Sequence, residues 1–335
     1  MLRSDDDRVA DVRRWLGWMV GVAACGEPGL TTVAIDPSEI EDPAPTFVPG
    51  DPSVLVGAFQ IDVVPAEDGA GYTSVTGRVY DGPTPSAIVW ELADAGEGCE
   101  LLTPRVPFCL DPCGGGAVCV EDEVCEPYPK AQDLGGVRVD GALTTDGASS
   151  VALTMVSNTW LLPGAVDLAW PAFAEGDVVT VVADGSEAVP AFNLSSWGVS
   201  PLELLDGDRT LVRGGGLPLR WTAGGDPAHA RVRIKLDISH HGGTKGMIVC
   251  LVDDDGGFDL PAPMVDGLLD LGVSGFPTVI TTRQSTGSVT LEAGRVDLTV
   301  STTVETPLEI PGVISCTDDA QCPEGQRCLS DLRCG

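Results

Sequence analysis

Arg231-Val-Arg-Ile-Lys-Leu-Asp-Ile238 alternates without a break: Val232, Ile234, Leu236 and Ile238 fall on one side, and Arg231, Arg233, Lys235 and Asp237 on the other. Successive side chains of a strand point to opposite faces, so this pattern predicts a strand with one face buried and one wet, the mark of antiparallel sheet. Strand-like runs recur on both sides of it. Downstream lie Gly246–Val252, the turn Asp253-Asp-Asp-Gly-Gly257, and a closing pair formed by Val289–Glu292 and Val296–Ser301. Upstream lie Val54–Val64, Ser74–Tyr80, Ile88–Leu92, Gly136–Asp140, Ser150–Val156 and Asp177–Ala183. The single helical expectation is Ala262–Leu271. Strands separated by Gly, Asp and Pro turns predict an all-β chain of two or three antiparallel β-sandwich units, immunoglobulin-like or jelly-roll, with small disulfide-rich modules.

Composition agrees with that reading and excludes some functions. Forty-two glycines and 26 prolines in 335 residues point to many turns and little helix. Aromatics are only 5%, so the cores must lean on Val, Leu, Ile and Ala. A net charge of −31 argues against nucleic acid as a partner, because phosphate binding needs clustered cations. The ordinary reading of that charge is solubility by self-repulsion.

The N-terminus carries an address. Arg13-Arg14 precede the short apolar run Trp15–Ala24, too short to span a bilayer but suited to a signal-peptide core. It ends Val22-Ala-Ala-Cys25, which resembles the bacterial lipobox, although Asp5, Asp6, Asp7 and Asp11 offset the arginines. That resemblance implies cleavage before Cys25, lipid on its thiol, and a membrane partner through the lipid anchor. Gly26 at the next position implies the outer membrane or cell surface over inner-membrane retention. Six prolines within 26–52 predict an extended tether. The expected organisation is a signal peptide at 1–24 and a lipid-anchored tether at 25–52. A β-rich segment at 53–98 and a disulfide cassette at 99–129 follow. Sandwiches at 135–210 and 211–306 and a disulfide-rich tail at 313–335 complete the chain.

Eleven cysteines indicate an oxidising compartment. Cys99, Cys109, Cys113, Cys119 and Cys125 form the cassette, and Cys316, Cys322, Cys328 and Cys334 the tail. Tight CxxC pairs are absent and no histidine sits inside either cysteine cluster, so disulfides are expected here and not zinc. Four tail cysteines allow three pairings. Five in the cassette leave one unpaired or joined to Cys250, a mid-strand residue whose ordinary reading is a buried thiol. The strings CLDPCGGGAVCVEDEVCEPYP, GMIVCLVDDDGGFDLP and CTDDAQCPEGQRC resemble a class of myxobacterial and related predicted lipoproteins. The resemblance implies export and cysteine-rich spacers, and it brings no activity or functional residues with it.

Candidate sites are few. Asp253, Asp255 and Asp259 would offer hard oxygen ligands to calcium, against the plainer reading of a solvated turn. His240-His241 would offer two imidazoles to a metal, against a polar loop after a strand. G-x-S-x-G, G-x-G-x-x-G, D-[ST]-G and P-loop motifs are missing. Trp160, Trp170, Trp197 and Trp221 could stack on sugars, although core packing is their ordinary role. The expected function is therefore a non-enzymatic cell-envelope lipoprotein that binds a protein or glycan or scaffolds the envelope, with no cofactor. The alternatives are a secreted hydrolase using acidic residues or a metal, and a calcium-dependent adhesin.

Overall fold

The computed structural model describes residues 51–66 and 71–335. The signal peptide, Cys25 and the tether up to residue 50 lie outside the described residues. Strands β1 (Leu55–Val64), β2 (Tyr72–Val79), β3 (Val89–Gly96) and β4 (Cys99–Arg105) come first. The cassette hairpin is β5 (Ala117–Glu121) and β6 (Val124–Pro127). Short strands β7 (Val137–Asp140), β8 (Ser150–Ala152), β9 (Thr154–Val156) and β10 (Thr159–Leu161) precede β11 (Val178–Ala183) and β12 (Phe192–Trp197). Next are β13 (Leu217–Arg220), β14 (Arg231–Asp237), β15 (Met247–Asp253), β16 (Gly257–Leu260) and the helix α1 (Ala262–Asp270). Two 14-residue strands close the set, β17 (Thr278–Leu291) and β18 (Gly294–Pro307). The chain is all-β in a sandwich-like arrangement, and the expected helix is where the sequence placed it.

One sheet organises the molecule. Its ten strands run β3-β4-β15-β14-β17-β18-β1-β2-β10-β9. Neighbours are antiparallel except β1 and β18, which pair in parallel from Leu55↔Arg295 to Asp62↔Ser301. The longest pairing is the β17–β18 hairpin, in register from Thr278↔Pro307 to Leu291↔Gly294. The inward faces alternate cleanly: Val232, Ile234 and Leu236 on β14 and Phe59, Ile61 and Val63 on β1 are fully buried.

That inner face is covered by two different layers. The four-stranded sheet β12-β11-β7-β8 lies over one half, where Val139, Val179, Val181 and Leu194 meet Phe59, Val75, Leu298 and Val300. The two-stranded sheet β13–β16 and α1 cover the other, where Leu217, Leu260, Val265 and Leu268 meet Ile234, Leu236 and Ile248. Gly287 on β17 marks the closest crossing of β12, since a β-carbon there would collide with the backbone carbonyl of Ser195.

The expected boundaries are therefore corrected. Residues 135–210 and 211–306 are not two separate sandwiches. Strands within 55–105, 154–161, 231–253 and 278–307 share one sheet, and those within 137–152 and 178–197 form one facing layer. The reason is edge pairing. Each hairpin leaves unpaired N–H and C=O groups on its outer strands, and distant segments satisfy them.

A buried ion pair joins β17 to the turn after β15. Arg283 on β17 and Asp254 after β15 are 1% and 2% exposed. Arg283 Nε donates to Asp254 Oδ2 at 2.6 Å and Nη2 to Oδ1 at 3.1 Å. Its Nη1 donates to the Ser200 hydroxyl and to the carbonyls of Ser200 and Pro201, and Nη2 also reaches the Thr222 carbonyl. Trp221 Nε1 donates to Asp254 Oδ1 at 2.8 Å. Every guanidinium donor is thus used, which is what permits a charge at this depth.

Glu175 extends the network. Burial would raise its pKa, but hydrogen bonds from Ser200 and the backbone N–H groups of Gly225 and Asp226, with the charge of Arg283, hold it below the ordinary 4.5. A depressed carboxylate contributes stability above its unfolded pKa and loses it as pH falls through the folded one. Glu175→Gln is expected to be less stable than the parent at about pH 7, and the gap should close as acid protonates the parent's carboxylate. Denaturant titrations across that range check this, and a gap unchanged below pH 4.5 would contradict it.

Five disulfides complete the fold. The cassette pairs Cys109–Cys119 and Cys113–Cys125, and the tail Cys316–Cys328 and Cys322–Cys334. Cys99 pairs with Cys250 across β4 and β15, where the two residues stand directly opposite. The reading of Cys250 as a buried free thiol is corrected, because strand pairing brings Cys99 to its side from 151 residues away. Cys99 accordingly belongs to the long sheet and not to the small module. Such a set of disulfides marks an exported protein. Among the described residues, no helix is long and apolar enough to cross a membrane.

Candidate functional site

The metal expectations do not assemble. Asp253 ends β15 and pairs with Arg231. Asp254 turns inward to Arg283. Asp255 accepts from Gly257 N within its own turn, and Asp259 holds Arg220 at 2.6 Å. Strand ends and a tight turn send neighbouring aspartates in different directions, so Asp253, Asp255 and Asp259 do not converge on one point. His240 and His241 have ring centroids 3.9 Å apart. Glu305 Oε1 lies 3.5 Å from His240 Nε2. Among the described residues, neither these histidines nor these aspartates belong to a group of three converging metal ligands. Cysteine sulfurs do cluster in the cassette and tail, but they are spent in disulfides.

The tryptophans are mostly structural. Trp160 and Trp221 are buried, and Trp170 packs against the first core. Trp197 stacks on His229 with centroids 4.4 Å apart.

Among the described residues, both covering layers lie on the inner side of the long sheet, which leaves its outer face. Pairing carries one row across several strands: Thr76, Gln60, Thr299 and Thr286 lie side by side on β2, β1, β18 and β17. Two residues along, Gln284 lies opposite Ser301, and beyond them Thr282 lies opposite Thr303 and Arg233. Several groups hold one another in place. The hydroxyls of Thr282 and Thr303 are 2.9 Å apart and those of Thr286 and Thr299 3.2 Å. Ser301 donates to Asp62 at 2.7 Å, and Ser288 to Asp297 at the same distance.

The face has two distinct regions. At the β2 end is a trough of 760 Å³, its wall including Gln60, Thr76, Arg78, Tyr80, Thr159 and Leu161. The hairpin β9–β10 forms its rim, and Arg78 Nε donates to Thr159 Oγ1 at 2.8 Å. A concave wall with an aromatic ring, an amide, hydroxyls and a guanidinium is suited to holding a polar ligand.

At the opposite end the face carries more apolar side chains, with the exposed acids Glu100, opposite Val249, and Glu305, opposite Ile280, among them. Leu102, Met247, Val249, Leu251 and Ile280 point outward from β4, β15 and β17, and Arg233 stands among them. Beside it on β14, Arg231 pairs with Asp253 and Lys235 with Asp237 at 3.0 Å. Beyond β4, Trp90 and Leu92 on the edge strand β3 are 38% and 59% exposed.

Sequence reasoning placed Arg231, Arg233 and Lys235 on the wet face of their strand. It missed the face as a site, because its other members come from segments more than 200 residues apart. The available signal was the run of Thr, Ser and Gln at alternate positions in 282–288 and 299–303.

No family model matches the chain, and no curated protein matches it. Among solved structures, the FN1–FN3 domains of chicken CNTN1 align over 72% of this chain and 70% of theirs, with 7% identity and a TM-score of 0.17.

Proposed function

We propose that this chain is a non-enzymatic lipoprotein of the bacterial cell envelope, anchored to the outer membrane or cell surface through Cys25, whose outer sheet face binds a protein or glycan partner. The observation that carries the reading is that face: ten strands wide and open, it bears the trough at Gln60, Arg78 and Tyr80 and the apolar end around Arg233. The disulfides support an exported setting, and the lipobox resemblance at Val22–Cys25 supports the anchor.

Two measurements test it. Intact-mass analysis of the full chain extracted from membranes should give a species beginning at Cys25 with added acyl mass. A chain without acyl mass there would leave a secreted protein and remove the anchor. Binding of the full chain to glycan arrays and envelope-protein panels should give at least one ligand that is lost when the outer face is substituted. An empty result on both would remove the binding role.

A further inference from the structure

We propose that Arg233 anchors a carboxylate of an acidic, apolar peptide segment from a protein partner, laid across the outer face of β4, β15, β14 and β17. This rests on the binding-face reading above and names the partner's class.

The first argument is a missing partner. The chain holds 50 acidic side chains against 19 basic ones, so an arginine seldom lacks a carboxylate. Arg231, Lys235, Arg220, Arg283 and Arg295 all have one. Arg233, mid-strand and half-buried, makes no hydrogen bond or ion pair among the described residues. Burial lowers its pKa, with no neighbouring acid to offset the desolvation. A guanidinium stays charged at neutral pH, so part of its desolvation goes uncompensated until an anion arrives.

The second argument is what surrounds it. Leu251 stands directly opposite on β15 and Thr282 on β17. Leu102, Met247, Val249 and Ile280 extend the apolar surface towards Leu92, with Glu100 opposite Val249 and Glu305 opposite Ile280, so Arg233 is the anion-binding point and those two acids set where the partner's carboxylate cannot lie. Aliphatic side chains recognise other aliphatic side chains and not sugar hydroxyls, which would lose water without gaining partners. The planar fork of arginine matches one carboxylate through two parallel bonds. The third argument is the field of the whole molecule. At −31 it repels dense polyanions, so a segment with one or two carboxylates among apolar residues fits better than a uronic-acid polymer.

The test uses the full chain in detergent against an array of nonapeptides made of Glu, Leu, Val and Ser, and the same array with Gln for Glu. Acidic members should bind, and their Gln counterparts should bind about tenfold more weakly or worse. Arg233→Gln should lower binding of the acidic members by a similar factor with an unchanged melting curve, while Arg213→Gln, whose exposed side chain pairs with Asp270 of α1 on the other side of the sheet, should leave it intact. Equal binding of the two arrays, or full binding by Arg233→Gln, overturns the proposal. If neither array binds but a glycan or another envelope protein does, the peptide inference falls and the binding face stands. If nothing binds, both fall.

Discussion

Asp254→Ala is expected to lower the free energy of unfolding by about 3–5 kcal/mol, the usual cost of leaving a buried charge without its partner. The substitution removes both acceptors of the Arg283 fork and the acceptor of the Trp221 indole. Arg283 cannot swing to water, because its side chain is fully enclosed and its Nη atoms are held by Ser200, Pro201 and Thr222. Denaturant unfolding with disulfides intact measures the loss. Asp259→Ala is the control: its bond to Arg220 is as short, but both side chains are largely exposed, so the loss should stay below about 1 kcal/mol. Replacing both members, with Arg283→Met and Asp254→Leu, should recover much of the deficit, because it removes the stranded charge along with the pair. Equal and small losses for Asp254→Ala and Asp259→Ala would show that the buried pair does not carry this stability.

Opening Cys99–Cys250 should be the most damaging disulfide loss. The bond closes a loop of 151 residues, whereas the other four span 10 to 12. Loop-closure entropy grows with the logarithm of loop length, giving about 5 kcal/mol for the long loop and about 3 kcal/mol for a short one. The long bond also ties β4 to β15, and with it the edge strand β3 and the apolar end of the outer face. The pair Cys99→Ala and Cys250→Ala should therefore melt well below the pair Cys322→Ala and Cys334→Ala when scanned by circular dichroism. Equal shifts would mean that the β4–β15 ladder holds its register without the bond.

The two predictions share a cause. Both concern contacts between segments remote in sequence, and these give the molecule a single sheet where local patterns suggest several sandwiches. Arg283 comes from the β17 arm of the long hairpin and Asp254 from the turn after β15. The same long-range pairing sets Arg233 in a face whose other members lie on β4, β15, β17, β18, β1 and β2.

Within the described residues, the sequence by itself determined the local elements and their faces. The alternation in 231–238 named which side of β14 is buried, and Ala262–Leu271 named the helix to within a residue. The disulfide-bearing cassette and tail were legible in their spacing. These features depend on the period of side-chain direction along a strand and on turn chemistry, both local. Only the tertiary structure decided the order of the strands, the parallel seam between β1 and β18, the partner of Cys250, and the separate fates of Asp253, Asp254, Asp255 and Asp259. Those outcomes depend on which distant edge satisfies which backbone groups and on how a turn aims each side chain. An alternating pattern records which face of a strand is buried, but not which strand lies beside it.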